Sequence, residues 1–69
     1  SKELYVYERN LAGKKLLVIC SFSEDSVRFD APEGIVLDES KQVFGNYENN
    51  FVIANGFTTR PYEMRVYLF

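Results

Sequence analysis

Histidine is absent from the chain and cysteine occurs once, at Cys20. Without a second thiol or any imidazole, the chain has no means to form an intrachain disulfide, a Cys/His zinc site or a histidine-based acid–base pair. Glycine is confined to four scattered positions, so there is no glycine-rich phosphate loop. No apolar run approaches the length of a membrane span, and the start lacks the charged stretch, hydrophobic segment and cleavage site of a secretory signal. The chain reads as soluble and cytoplasmic, although any signal carried by a longer parent would lie outside it. An excess of positive charge is also missing: 8 Lys+Arg against 10 Asp+Glu give a net charge of −2, with nothing to draw the chain to nucleic acid or to an anionic membrane. At 69 residues there is room for one small core and none for a large catalytic scaffold.

What is present is β-structure. Hydrophobic residues make up 46% and aromatics 16%, with seven valines and three isoleucines, a composition suited to a pleated, half-buried surface. Leu4-Tyr5-Val6-Tyr7 begins a strand that ends in a turn at Ala12-Gly13-Lys14, and Lys15 to Phe22 answers it as the most apolar strand. Val27-Arg28-Phe29-Asp30 alternates apolar with charged, as a half-buried strand does. Ile35-Val36-Leu37, Gln42 to Tyr47 and Phe57 to Arg60 read as further short strands, and Gly45 inside one of them marks a bulge or a close backbone approach. The Asn55-Gly56 pair favours a tight turn. Tyr62 to Phe69 closes the chain, after a Pro61 that cannot donate to a ladder. Six or seven short antiparallel strands and no helical periodicity predict an all-β fold, a small antiparallel β-sandwich or barrel.

In a free-standing sandwich each strand shows one apolar face to the core and one polar face to water. Three strands depart from this. With Leu4 and Val6 of the first strand, Leu16, Val18, Cys20 and Phe22 of the second, and Met64, Val66 and Leu68 of the last facing the core, the opposite face carries Tyr5, Tyr7, Leu17, Ile19, Tyr67 and Phe69. These six residues would form a contiguous apolar patch, and such patches mark partner surfaces. The competing reading is a barrel curled tightly enough to bury both faces, with tyrosines leaving only their hydroxyls wet.

Candidate chemistry is sparse. Glu24-Asp25 and Asp38-Glu39 are adjacent carboxylates of the kind a glycosidase needs, but both lie in predicted turns, where acidic residues are solvated and bond the local backbone. Ser21, Ser23 and Ser26 have no histidine to activate them. Cys20, inside an apolar strand, reads as a small core hydrophobe. Lys14-Lys15 is the only basic cluster, too little for a single-strand nucleic-acid platform. Exposed tyrosines would suit a sugar, though direct sugar binding is not the favoured reading.

Read in order, Tyr5-Val6-Tyr7-Glu8-Arg9, Lys15 through Ser23, Asn46-Tyr47, and Arg60-Pro61-Tyr62-Glu63-Met64-Arg65-Val66-Tyr67 resemble the C-terminal β-domain of α-amylase-family glycoside hydrolases. The resemblance is closest to the oligo-1,6-glucosidase, dextran glucosidase and trehalose-6-phosphate hydrolase group. It spans nearly the whole chain, and the Arg60 to Tyr67 motif is its most specific part. Ser21 stands where the family often has Asn, and Met64 where it usually has Ala. The resemblance implies that residues 1–69 are a single non-catalytic accessory domain of a bacterial-type α-glucosidase, cut from a longer chain. It further implies no cofactor, no metal and no catalytic residue within these residues, and a partner in the catalytic TIM barrel of the same parent chain, which the domain packs on and stabilises. An independent sugar-binding or protein-binding β-module is the alternative.

Overall fold

The computed structural model describes residues 3–69, so Ser1 and Lys2 of the expected 1–69 domain lie outside the described residues. Among the described residues six strands form, in chain order: β1 (Leu4–Leu11), β2 (Lys14–Ser21), β3 (Arg28–Asp30), β4 (Gln42–Gly45), β5 (Gly56–Thr58) and β6 (Met64–Leu68), with one 3-10 turn at Glu39–Lys41. Four of them make an antiparallel sheet in the order β1-β2-β6-β4, and β3 pairs with β5 in a second, two-stranded sheet. The expected all-β, antiparallel architecture is the observed one.

Turn chemistry explains the hairpins. Ala12 and Gly13 have φ of 50° and 79° and join β1 to β2 with Leu11 opposite Lys14, a two-residue turn whose positive φ angles match the twist of the strands. The second such turn is centred on Ala54 and Asn55, at φ 53° and 54°, closed by backbone hydrogen bonds between Ile53 and Gly56 in both directions. It therefore lies one residue earlier than the Asn55-Gly56 pair suggests. Gly56 is instead the first residue of β5, opposite Asp30, where a Cβ would collide with the carbonyl oxygen of Phe29 and the guanidinium of Arg28. At β4 the two roles expected of Gly45 separate: the ladder irregularity falls between Gln42 and Phe44, while a Cβ on Gly45 would run into the side chains of Gln42 and Asn50.

Ile35-Val36-Leu37 is not a strand, although Ile35 and Leu37 are buried and Val36 is exposed. The reason lies in Asn55. Its side-chain amide accepts the Leu37 N–H at 2.7 Å and donates to the Ile35 carbonyl at 2.9 Å, giving the segment the pair of bonds that a neighbouring strand would have supplied. One side chain thus tethers two apolar residues to the core without extending either sheet.

The core lies between the two sheets and comprises Leu17, Ile19, Phe29, Ile35, Leu37, Phe57 and Tyr67, with Leu4, Ala31, Val52 and Phe69 packed at its margins. This corrects the face assignment. Leu17, Ile19 and Tyr67, expected in an exposed patch with Tyr5, Tyr7 and Phe69, are sealed inside, at 1% exposure or less. Burying each large side chain of this kind contributes roughly 1.5–3 kcal/mol. Cross-strand partners share a face, so the register settles the rest: Leu17 opposes Tyr67 and Ile19 opposes Arg65 on the inner side. Tyr5 pairs with Cys20, Tyr7 with Val18, and Val18 with Val66 on the outer side. The faces of β2 and β6 are inverted relative to the sequence reading, while that of β1 is as expected.

Candidate functional site

The outer face of the four-stranded sheet carries Tyr5 and Tyr7 from β1, Leu16, Val18 and Cys20 from β2, Met64, Val66 and Leu68 from β6, and Phe44 from β4. Among the described residues no second layer covers it. Tyr5 and Phe44 are exposed, and Tyr7, Leu16, Cys20, Met64, Val66 and Leu68 are half-buried. The aromatic end is clustered: the Tyr5 ring lies 5.2 Å from Tyr7 and 6.3 Å from Phe22. Val18 is only 4% exposed but belongs to this face, shielded by Tyr7 and Val66 on the two flanking strands and absent from the core cluster. A surplus apolar face of the expected kind exists, but its members are the residues assigned to the core, and Tyr5 and Tyr7 are the two of the six expected residues that lie on it.

Sequence reasoning placed Leu16, Phe22, Met64, Val66 and Leu68 in the core and gave Phe44 no face, since in the last strand it set the apolar row Met64, Val66 and Leu68 against the partly charged row Glu63, Arg65, Tyr67 and Phe69. Of that second row, Glu63, Arg65 and Tyr67 are buried. Glu63 and Arg65 are 1% and 3% exposed, and both belong to an ion network at the inner side of the sheet. Glu63 Oε1 accepts the Arg60 backbone N–H at 2.8 Å and Arg60 Nε at 3.1 Å, and its Oε2 accepts Arg60 Nη2 at 2.6 Å and Arg65 Nε at 2.9 Å. Burial alone would push the Glu63 carboxyl up, but the hydrogen bonds from Arg60 and Arg65 outweigh it and hold the group below its ordinary value. The Arg65 guanidinium lies 3.7 Å from the Phe57 ring centre and donates Nη1 to the Phe51 carbonyl and the Tyr67 hydroxyl. The sequence signal was there: Arg60 and Glu63 lie three apart around Pro61, and Glu63, Arg65 and Tyr67 share one parity.

The Arg60 to Tyr67 motif therefore encodes a turn followed by a buried row. Glu63 N–H bonds the Arg60 carbonyl at 3.1 Å, with Pro61 second and Tyr62 third in the turn at φ 52°. Tyr47, the aromatic of the Asn46-Tyr47 pair, donates its hydroxyl to the Pro61 carbonyl and lies under the Arg60 guanidinium at 4.4 Å, while Asn46 bonds the backbone at Tyr62 and Met64. Two of the separated pieces that carry the family resemblance, Asn46-Tyr47 and Arg60 to Tyr67, meet at this one corner.

Of the remaining candidates, the acidic pairs meet backbone donors or solvent. Asp38 accepts Ser40 N–H and Oγ–H at 2.8 Å each, bonds that lower its carboxyl, and Glu39 accepts the Val52 N–H. Both Glu24 and Asp25 are exposed in a bend. Burial pushes the Cys20 thiol up, away from the thiolate a nucleophile would need. Among the described residues no cluster of three or more Cys, Asp and Glu could hold a metal ion, and no helix is long and apolar enough to cross a membrane.

No protein-family model matches the chain. Over 96% of its length the chain is 39% identical to an oligo-1,6-glucosidase of Halalkalibacterium halodurans, and over 93% it is 42% identical to one of Heyndrickxia coagulans. An oligo-1,6-glucosidase of Saccharomyces cerevisiae is 32% identical over 99% of the chain. The chain spans only 10–12% of the length of these relatives. Nearly every residue of this chain thus has its counterpart in one small part of the oligo-1,6-glucosidases, and the chain is a homologue of that part, a small β-domain of the α-amylase-family enzymes.

Proposed function

We propose that the chain is a non-catalytic accessory domain of an α-glucosidase, one that packs through the outer face of the β1-β2-β6-β4 sheet on the catalytic barrel of the same parent chain and stabilises it. The observation that carries this reading is the outer face itself. A four-stranded sheet with Leu16, Met64, Val66 and Leu68 half-buried and no layer above them needs a covering body. The aligned part is only 10–12% of each relative's length, so the relatives are many times longer than the chain, which supplies a candidate for that body. Of the acidic candidates, Glu24 and Asp25 are exposed in a bend, Asp38 and Glu39 accept backbone N–H groups, and Glu63 is locked to two arginines, an arrangement unlike the acid and nucleophile pair of glycoside chemistry. The parent's reaction on this reading is hydrolysis of α-1,6-glucosidic bonds, in keeping with the relatives' name, oligo-1,6-glucosidase.

The test compares the isolated chain with a polypeptide that carries the barrel ahead of it. Val66→Lys and Leu16→Lys are expected to change the isolated chain's unfolding midpoint little and to lower that of the longer polypeptide by several degrees. Equal effects in both would overturn the interface. Hydrolysis of isomaltose by the isolated chain would overturn the accessory role, and a saturable shift of Tyr5 or Tyr7 signals on titration with isomaltose would favour a sugar-binding module instead.

A further inference from the structure

On the far side of the sandwich from the apolar face lies a cavity of about 410 Å³ lined by residues that include Arg28, Asn49, Phe51, Phe57, Arg60 and Arg65. Its deepest charge is Arg65, 3% exposed, whose Nε and Nη1 are engaged by Glu63, the Phe51 carbonyl and Tyr67. Nη2 of the same guanidinium makes no hydrogen bond among the described residues. No described side-chain nitrogen or oxygen without a partner is sealed from solvent, so this Nη2 keeps some contact with solvent, and Arg65 is one of the residues that line the cavity. A buried guanidinium edge left open in this way is a donor waiting for an acceptor.

The charge balance points the same way. Glu63 is shared between Arg60 and Arg65, and all four of its bonds are taken, while Arg28 pairs with Asp30 at 2.9 Å. In their ion pairs the three guanidiniums around the cavity share two carboxylates, Asp30 and Glu63, in a chain whose net charge is −2. Arg28 presents a second open edge there: its Nε binds Asp30 and its Nη2 binds the Ile53 and Ala54 carbonyls, leaving Nη1 without a partner among the described residues. The exposed rings and branches of Phe51 and Ile53 form an apolar rim that lowers the local dielectric and strengthens any ion pair made beneath it.

We propose that this cavity is a binding site for an oxyanion group, a carboxylate or a phosphate, held by Arg65 Nη2 and Arg28 Nη1. The guanidinium edge suits such groups geometrically as well as electrostatically. The site is independent of the outer sheet face and of the accessory-domain reading.

Inorganic phosphate and acetate are the probes, each titrated into the isotope-labelled 69-residue chain at constant ionic strength, with sodium chloride as the reference. A saturable shift of the Arg65 side-chain Nε–H and of the Asn49 and Phe51 amides is the expected result. Saturation by phosphate assigns a phosphate-bearing ligand, and saturation by acetate a carboxylate. Linear shifts that match those of chloride for both probes would overturn the site. Arg28→Gln changes a partly exposed residue at the rim, keeps the fold readable, and is expected to weaken the saturating probe about tenfold, the loss of one charge-assisted hydrogen bond. Unchanged affinity in that variant would overturn the two-arginine clamp.

Discussion

The inner and outer faces of the four-stranded sheet differ little in how apolar they look along the chain. β2 gives Leu17 and Ile19 to one and Leu16, Val18 and Cys20 to the other, and β6 gives Arg65 and Tyr67 to the inside against Met64, Val66 and Leu68 outside. If hydropathy chose the core, the outer row of β6 would be buried. It is not, because the charges of the inner row are paired: Glu63 holds Arg65, whose guanidinium stacks on Phe57 and donates to the Phe51 carbonyl and the Tyr67 hydroxyl. A satisfied ion network can occupy a core position that an unpaired charge never could, and the apolar row it displaces is left to seek another partner.

Breaking the network should break the comparison most severely. Glu63→Gln leaves Arg60 and the buried Arg65 without their carboxylate and is expected to cost about 3–5 kcal/mol, measured by urea unfolding of the isolated chain. A loss under about 1 kcal/mol would mean that Arg65 is solvated rather than buried. Next in size, Leu17→Ala opens a cavity between the sheets and should cost about 2–5 kcal/mol, whereas Leu16→Thr, one residue away on the outer face, should stay below about 1 kcal/mol in the isolated chain. Equal costs would show the outer face to be core after all.

A pH series sharpens the same point. The folded-state value of Glu63 lies below its unfolded value, so its contribution is fully present above the unfolded carboxylate range and is lost as pH falls through the depressed folded value. Unfolding midpoints should therefore fall on acidification below about pH 4.5, the ordinary glutamate value, and Glu63→Gln should flatten that acid limb. The smallest effect is expected at the turn that launches the charged row. Tyr62 holds φ 52° where glycine is favoured, and relief of that strain in Tyr62→Gly should offset the added freedom of the unfolded chain, leaving stability within about 0.5 kcal/mol. A larger loss would place the tyrosine ring in the packing.

Legibility in the sequence varied by element. Strands β1, β2, β4 and β6 and the Ala12-Gly13 turn could be read directly, since alternation and turn residues are properties of neighbours within a few residues. Ile35 to Leu37 could not be read correctly, because its backbone partner is the side chain of Asn55, eighteen to twenty residues away. The apolar face was legible as a surplus but not in its membership. The Asn46 to Asn55 loop was unreadable for the same reason as the corner it builds: Asn46, Tyr47 and Asn50 earn their places through bonds to Tyr62, Pro61, Met64 and Arg60.

Alternation, turn residues and composition dictated an antiparallel β-domain with more apolar surface than one small core consumes, because those properties are local and add along the chain. Which row of β2 and β6 became that core was decided by where the β3-β5 sheet stacked and by whether Arg60, Glu63 and Arg65 could satisfy one another there. That balance exists only once strands distant in sequence stand side by side, since the desolvation of a charge is offset solely by partners that folding brings to it.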